Sequence, residues 1–231
     1  MLPSRAVSTA LLPCVEVPSQ TTATASVVWM HGLGADGSDF EPIVPHLRLP
    51  HVRFVFPNAP AIPVTINAGY VMPAWYDIRS LDLNPGTGSR EDPEQILRSA
   101  AAITAILERE VQRGTPADRI VLAGFSQGGA MALHVAPRYP KQLAGFMVLS
   151  AYELLRGTLS AQQTDANLTT PALFCHGRHD PMVPMFAGQS ACESVRREGR
   201  DVRWHEFPIA HEVSMPEIQT ISAWLHERLP G

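Results

Sequence analysis

The chain has only one lysine, Lys141, among 18 basic residues, only three cysteines, and no uninterrupted apolar run of membrane-spanning length. Each shortage narrows the field. Arginine supplies nearly all the positive charge, which reads as genome composition rather than function. No basic patch stands out and the net charge is −4, so nucleic acid is not an expected partner. Cys14, Cys175 and Cys192 are odd in number and far apart. They make neither a disulfide framework nor a zinc pattern, and a reducing compartment is the simpler assumption. Cys175 falls inside an apolar strand pattern and reads as a small core residue. The first residues carry one positive charge, Arg5, and the short apolar piece Ala10–Val15 is broken by Pro13 and closed by Glu16. That is a poor secretory leader, so the expected location is the cytoplasm. Internal repeats and low-complexity linkers are missing too.

What remains is ordinary globular material. The 231 residues are 45% hydrophobic and 17% charged, enough for one sizeable core and a single domain over 1–231. Short apolar runs alternate with longer amphipathic segments, which predicts an α/β fold with a mostly parallel sheet covered by helices. The expected strands are Val27–Met30, Val52–Phe56, Arg119–Ala123, Gly145–Ser150, Ala172–Cys175 and Val202–Phe207. The longest expected helix starts at Asp92-Pro93-Glu94, where an acid and a proline suit a first turn, and Gly114 ends it. Its apolar face runs through Ile96, Ala100, Ile103, Ile106 and Leu107 at helical spacing, a core face. Further helices are expected after Ser126, over Phe186–Glu198 and over Met215–Arg228. Two stretches break the rhythm. Asn58–Pro85 is rich in proline and carries Tyr70, Trp75 and Tyr76; Tyr152–Thr170 is polar and irregular. Long loops in compact domains often serve function: the first is expected to wall or cover a pocket, and the second is either such a wall or a surface excursion with no role.

Val121–Gly129 carries the chemistry. An apolar strand pattern runs into Gly124-Phe125-Ser126-Gln127-Gly128, and a helical pattern follows. A nucleophile elbow needs that order, because the serine must sit on a tight turn with its hydroxyl above the sheet. Ser126 is therefore the candidate nucleophile. A serine hydroxyl is weak by itself and needs a histidine base, which in turn needs an acid to orient it. In elbow hydrolases the chain order is Ser, then Asp or Glu, then His. Asp180 follows a buried strand in a proline-bounded turn, at the carboxyl edge where Ser126 emerges. Asp165 lies in a polar loop and Asp201 at the opposite edge. His211 follows the strand Val202–Phe207 through a short connection. His205 and His226 lie inside a strand and a helix pattern, His134 on the helix after the nucleophile, and His176 and His179 just before Asp180. His176-x-x-His179-Asp180 is a weak metal pattern, with short spacing and no further ligand pair, so no metal is expected. For the oxyanion hole, one amide is expected from Gln127 at a helix start. The other is expected from Leu33, in the turn His31-Gly32-Leu33-Gly34 after an early strand. That turn lacks the Gly-Lys-Ser/Thr ending of a phosphate loop.

Six blocks in order resemble the carboxylesterase and acyl-protein thioesterase family of α/β-hydrolases. They are His31–Gly37, Pro57-Asn58-Ala59-Pro60, Pro73–Asp77, Gly124–Gly129, His176-Gly177 with Asp180-Pro181 and Val183-Pro184, and His211-Glu212-Val213. The resemblance spans nearly the whole chain. It implies the α/β-hydrolase fold, the triad Ser126, Asp180 and His211, oxyanion amides from Leu33 and Gln127, and no cofactor. It also implies an acyl channel lined in part by Leu33, Trp75 and Met182, and a small-molecule or lipid-like ester as substrate. Carboxylesterase, acyl-protein thioesterase and lysophospholipase activity all remain open, as does a non-catalytic binding module on the same fold. Homodimers occur among similar proteins, but no self-complementary patch is legible in one chain. Ala210 and the pair Arg178-His179 depart from the family pattern: Ala210 stands where glycine is usual, just before the histidine.

Overall fold

The computed structural model describes residues 11–80, 82 and 90–231. Met1–Arg5, Ala10 and part of the Asn58–Pro85 stretch lie outside the described residues. The elements run in the order β1 (Cys14–Val17), β2 (Ala25–Met30), α1 (Val44–Leu47), β3 (Val52–Pro57), β4 (Ala61–Val64), β5 (Tyr70–Pro73), α2 (Pro93–Gln112), β6 (Ile120–Phe125), α3 (Gln127–Val135), β7 (Gly145–Leu149), α4 (Leu159–Gln162), β8 (Ala172–Gly177), α5 (Met185–Arg197), β9 (Val202–Phe207) and α6 (Met215–Arg228).

Seven strands form one sheet in the order β1-β3-β2-β6-β7-β8-β9. All neighbours pair in parallel except β1, which runs antiparallel against β3 at one edge. Central strands read as continuous apolar runs because helices cover both faces. Alternation then splits each strand between two cores. Val28, Met30, Leu122, Phe146, Val148 and Phe174 pack under α2, α3 and α5. Val27, Trp29, Val121, Met147, Leu173 and Cys175 pack under α1 and α6. The six expected strands are all present, within one or two residues at their ends. β1 was not expected: four half-buried residues between two prolines give too little pattern. A separate two-stranded hairpin, β4–β5, lies within the first of the two long irregular stretches.

Helix ends follow the local chemistry. The Asp92 side chain accepts from the Glu94 and Gln95 amides, Pro93 occupies the first turn, and Gly114 leaves the helix at φ 97°. Ile96, Ile103, Ile106 and Leu107 of α2 are buried, as its spacing predicts. Glu110 continues that face as a fully buried carboxylate. It accepts from Ser26 (2.9 Å) and Arg53 (2.9 Å) and pairs with Arg113 (3.1 Å) and Arg109 (3.3 Å). Arg109 and Arg113 also reach Glu16 of β1, at 2.9 and 2.8 Å. A buried charge is tolerable only with such pairing, and here the pairing staples α2 to three strands. The fold delivers the ends of β2, β6, β8 and β9 to one edge of the sheet.

Candidate active site

At the end of β6 the chain turns through Ser126 at φ 54° and ψ −120° and enters α3 at Gln127. A serine held with positive φ is strained by about 1–3 kcal/mol. The surroundings enforce the conformation. The Ser126 amide donates to Leu149 O (2.8 Å), and the flanking glycines are required by close approach rather than by their dihedrals. A Cβ on Gly124 would lie 2.2 Å from Gly128 backbone, and one on Gly128 would lie 2.5 Å from Met30 O. No side chain fits at either position, so the Gly-x-Ser-x-Gly spacing is a packing requirement of the elbow.

Asp180 sits in the turn after β8. Its Oδ1 accepts from the Met182 and Val183 amides, each at 2.8 Å. Its Oδ2 accepts from His211 Nδ1–H at 2.7 Å. Burial opposes ionisation of this carboxyl. The His211 hydrogen bond and the two amides outweigh it and hold the group below its ordinary value. With Nδ1 bound to a carboxylate, His211 presents Nε2 as an acceptor, and the Ser126 hydroxyl donates to it at 2.8 Å. Phe125 packs against the His211 ring at 4.8 Å between centroids. The structure thus brings together the three residues that the chain order singles out. Ala210 takes no positive φ, so its methyl group is accommodated. Its carbonyl lies where a Cβ on Gly177 would stand, at 2.2 Å, and the glycine at 177 makes room for the histidine loop.

Leu33 and Gln127 both border the cavity beside Ser126. Among the described residues neither backbone amide has an acceptor. Two unsatisfied donors next to a nucleophile suit an oxyanion. The loop carrying Leu33 is fixed by His31, whose Nδ1–H donates to Gly32 O (2.7 Å) while Nε2 accepts from the Ala59 amide (3.0 Å). Burial lowers the pKa of this histidine, which favours the neutral ring that such a pairing needs. The Gln127 side chain is spent on structure. It accepts from the Trp75 amide (2.8 Å) and donates to Tyr76 O (2.6 Å).

The cavity has a volume of about 360 Å³. Leu33, Ile66, Met72, Ile78, Met182 and Val183 give it an apolar wall, and Asn67, Arg90 and Tyr152 add polar groups. Leu33 and Met182 line it as the resemblance implies. Trp75 does not. It is 1% exposed, and its indole donates to His31 O at 2.9 Å, behind the oxyanion loop. Its backbone amide is held by the Gln127 side chain and its indole by His31 O, so Trp75 braces the turn that carries Leu33. His176 is also committed elsewhere, donating from Nε2 to Val183 O at 2.8 Å and stacking on Trp204. A larger groove of about 670 Å³, between α1 and α6, touches none of the candidate residues. Ile66, Met72, Arg90 and Tyr152 were not legible in the sequence as wall residues. The proline-rich stretch signalled a wall but not which side chains would face inward.

Comparison with known proteins agrees with this geometry. Residues 13–229 match the Phospholipase/Carboxylesterase family model. An acyl-protein thioesterase 1 of Gibberella zeae is 36% identical over 92% of this chain and 94% of its own length. The carboxylesterase SOBER1 of Arabidopsis thaliana is 34% identical over 90% of this chain and 92% of its own. The crystal structure of acyl-protein thioesterase 2 of Zea mays superposes with a TM-score of 0.83 at 27% identity, covering 94% of this chain and 99% of that one. An elbow serine, an acid and a histidine in that chain order, on a mostly parallel sheet that matches such proteins end to end, leave one assignment: this chain belongs to the phospholipase/carboxylesterase family of α/β-hydrolases.

Proposed function

We propose that the protein is a serine hydrolase of carboxylic esters, built as one domain, with Ser126 as nucleophile, His211 as base and Asp180 as its orienting acid. The observation that carries this is the unbroken relay from Asp180 Oδ2 through His211 to Ser126 Oγ, at 2.7 and 2.8 Å. His211 Nε2 takes the hydroxyl proton as Ser126 Oγ attacks the acyl carbon. The carbonyl oxygen becomes an oxyanion facing the Leu33 and Gln127 amides. His211 then returns the proton to the leaving alcohol, and an acyl-Ser126 ester remains. Water, deprotonated by His211, attacks that ester and frees the acid. Asp180 stays ionised throughout and stabilises the imidazolium.

The substrate we propose is a small-molecule or lipid-like ester with a short to medium acyl group, which suits a cavity of about 360 Å³ with an apolar wall. Thioester hydrolysis is a second reading, favoured by the 36% identity to an acyl-protein thioesterase 1. The same residues would serve both, and a panel of matched oxygen esters and thioesters separates them. No described helix is long and apolar enough to cross a membrane. We propose a cytoplasmic setting, in keeping with three free cysteines. The test of the hydrolase reading is labelling by a serine-directed fluorophosphonate. Wild type is expected to label and to hydrolyse simple esters, and Ser126→Ala to do neither while remaining folded. Ester hydrolysis at full rate by Ser126→Ala overturns it.

A further inference from the structure

His176 is a buried histidine with no place in the relay from Asp180 to Ser126. It lies on β8, four positions before Asp180, and is 1% exposed. Its ring is wedged between two elements. Trp204 of β9 stacks on it at 5.8 Å between centroids, and a Cβ on Gly188 of α5 would lie 2.4 Å from His176 Nδ1. The helix backbone thus closes on the ring where a glycine allows it, and the ring has little room to turn or withdraw.

Nε2 faces the turn that carries the acid. It donates to Val183 O at 2.8 Å, whereas Asp180 Oδ2 is 3.8 Å away, too far for a hydrogen bond. Burial, joined by the facing His211, holds His176 below its ordinary pKa, although Val183 O, Asp180 and Glu206 favour its charge. A neutral imidazole has one N–H, and a carbonyl oxygen can only accept, so that N–H is on Nε2. Spent on Val183 O, it does not compete with His211 for Asp180 Oδ2. Val183 is in turn held at both of its backbone groups. Its amide donates to Asp180 Oδ1 at 2.8 Å, and its carbonyl accepts from His176. Oδ1 also accepts from the Met182 amide at 2.8 Å, so one carboxylate oxygen is tied to the turn and the other meets His211 Nδ1 at 2.7 Å.

We propose that His176 is a positioning residue for the acid: through Val183 O it holds the turn 180–183 so that Asp180 Oδ1 stays on the two amides and Oδ2 stays on His211. The inference rests on the hydrolase reading above and adds to it the group that preorganises Asp180. His176 touches neither substrate nor the reacting atoms. It acts through the turn, so its effect falls on the rate of the chemical steps more than on substrate binding.

The experiment measures kcat and KM for 4-nitrophenyl butyrate in wild type, His176→Phe and His176→Gln, beside the low-field proton resonance of His211 Nδ1–H in its bond to Asp180. Phenylalanine keeps a ring against Trp204 but cannot donate; glutamine keeps an N–H donor. His176→Phe is expected to lower kcat about tenfold to a hundredfold, since a misplacement of about 1 Å at a catalytic group can cost about that much. KM should change far less, and the His211 resonance should shift or broaden. His176→Gln should recover part of both effects. Wild-type kcat in His176→Phe, or a lower kcat with the His211 resonance unmoved, overturns the proposal. Either result leaves the hydrolase reading standing, because fluorophosphonate labelling of Ser126 tests that separately. Should His176→Phe not fold, wild type alone decides: nitrogen-15 spectra at neutral pH should show His176 protonated at Nε2, and a bare Nε2 there overturns the proposal. An unlabelled and inactive wild type overturns both readings.

Discussion

Asp180 holds a charge where burial disfavours one. Three hydrogen bonds offset that cost, and two of them come from amides of the same turn, so the acid is preorganised before substrate arrives. Its replacement by asparagine keeps the shape but presents an N–H or a neutral oxygen to His211 and loses control of the tautomer. Asp180→Asn is expected to lower kcat by about 10³–10⁴ with little change in melting temperature. Steady-state kinetics beside a thermal melt check this. Because the Asp180 carboxyl is held below its ordinary value, it stays ionised in mildly acid solution and should add no proton of its own to the pH profile of the rate there. A limb that fits only two protons would contradict the assignment. Beside these residues stand His31 and Trp75, which brace the turn that carries Leu33.

At the scale of elements, each functional residue depends on how one strand or helix ends. Gly128 shows the dependence most plainly, since a Cβ there meets Met30 O at 2.5 Å and His31 O at 2.6 Å. Both atoms are backbone, so neither can swing aside. Gly128→Ala is expected to cost about 3 kcal/mol in urea unfolding and to disturb the Leu33 loop. The helix that follows His211 carries a different tension. Glu217 of α6 is fully buried, its amide is capped by Ser214, and neither carboxyl oxygen has a hydrogen-bond partner. Burial raises its pKa from 4.5 to about 8. The sign follows from linkage: the folded state holds the proton more tightly, so the stability gained is complete below pH 4.5 and is lost as pH rises through about 8. Wild type should therefore melt at lower temperature at pH 9 than at pH 6. Glu217→Gln should flatten that dependence, and an identical slope in the variant would argue against a buried neutral carboxyl. Differential scanning fluorimetry across that range suffices.

The whole molecule is two cores on either side of one sheet, tied at the β1 edge by a carboxylate. Burial of Glu110 penalises its charge, but Arg53, Ser26 and the nearby arginines overcome this and lower its pKa below 4.5. That contribution is present above pH 4.5 and lost as pH falls through the folded value, the opposite sense to Glu217. The two groups together are thus expected to stabilise most in mildly acid solution, near pH 4.5, with a decline on either side. Glu110→Gln should cost about 3 kcal/mol at neutral pH, because it leaves Arg53 partly buried without its carboxylate, while Arg109 and Arg113 keep Glu16. Chemical denaturation at pH 7 and pH 4 checks both the size and its decline with acid.

Local pattern was enough to determine the parallel strands and the long helices, and to single out the serine turn and the aspartate and histidine that the fold brings to it. Each of these is written in a few adjacent residues: an apolar run, a cap, a glycine pair, a turn after a strand. Tertiary structure alone decided the rest. Whether Trp75 faces the cavity depends on a hydrogen bond to Gln127, 52 positions away, and a distant partner leaves no periodicity in the sequence. Arg90 borders the same cavity as Ser126, Ile78 and Tyr152, and nothing in its neighbours along the chain signals that. The sequence by itself determined the order in which Ser126, Asp180 and His211 follow the strands, since that is carried by strand ends in a fixed topology. Which side chains border the cavity beside Ser126 was decided by packing between segments far apart in the chain.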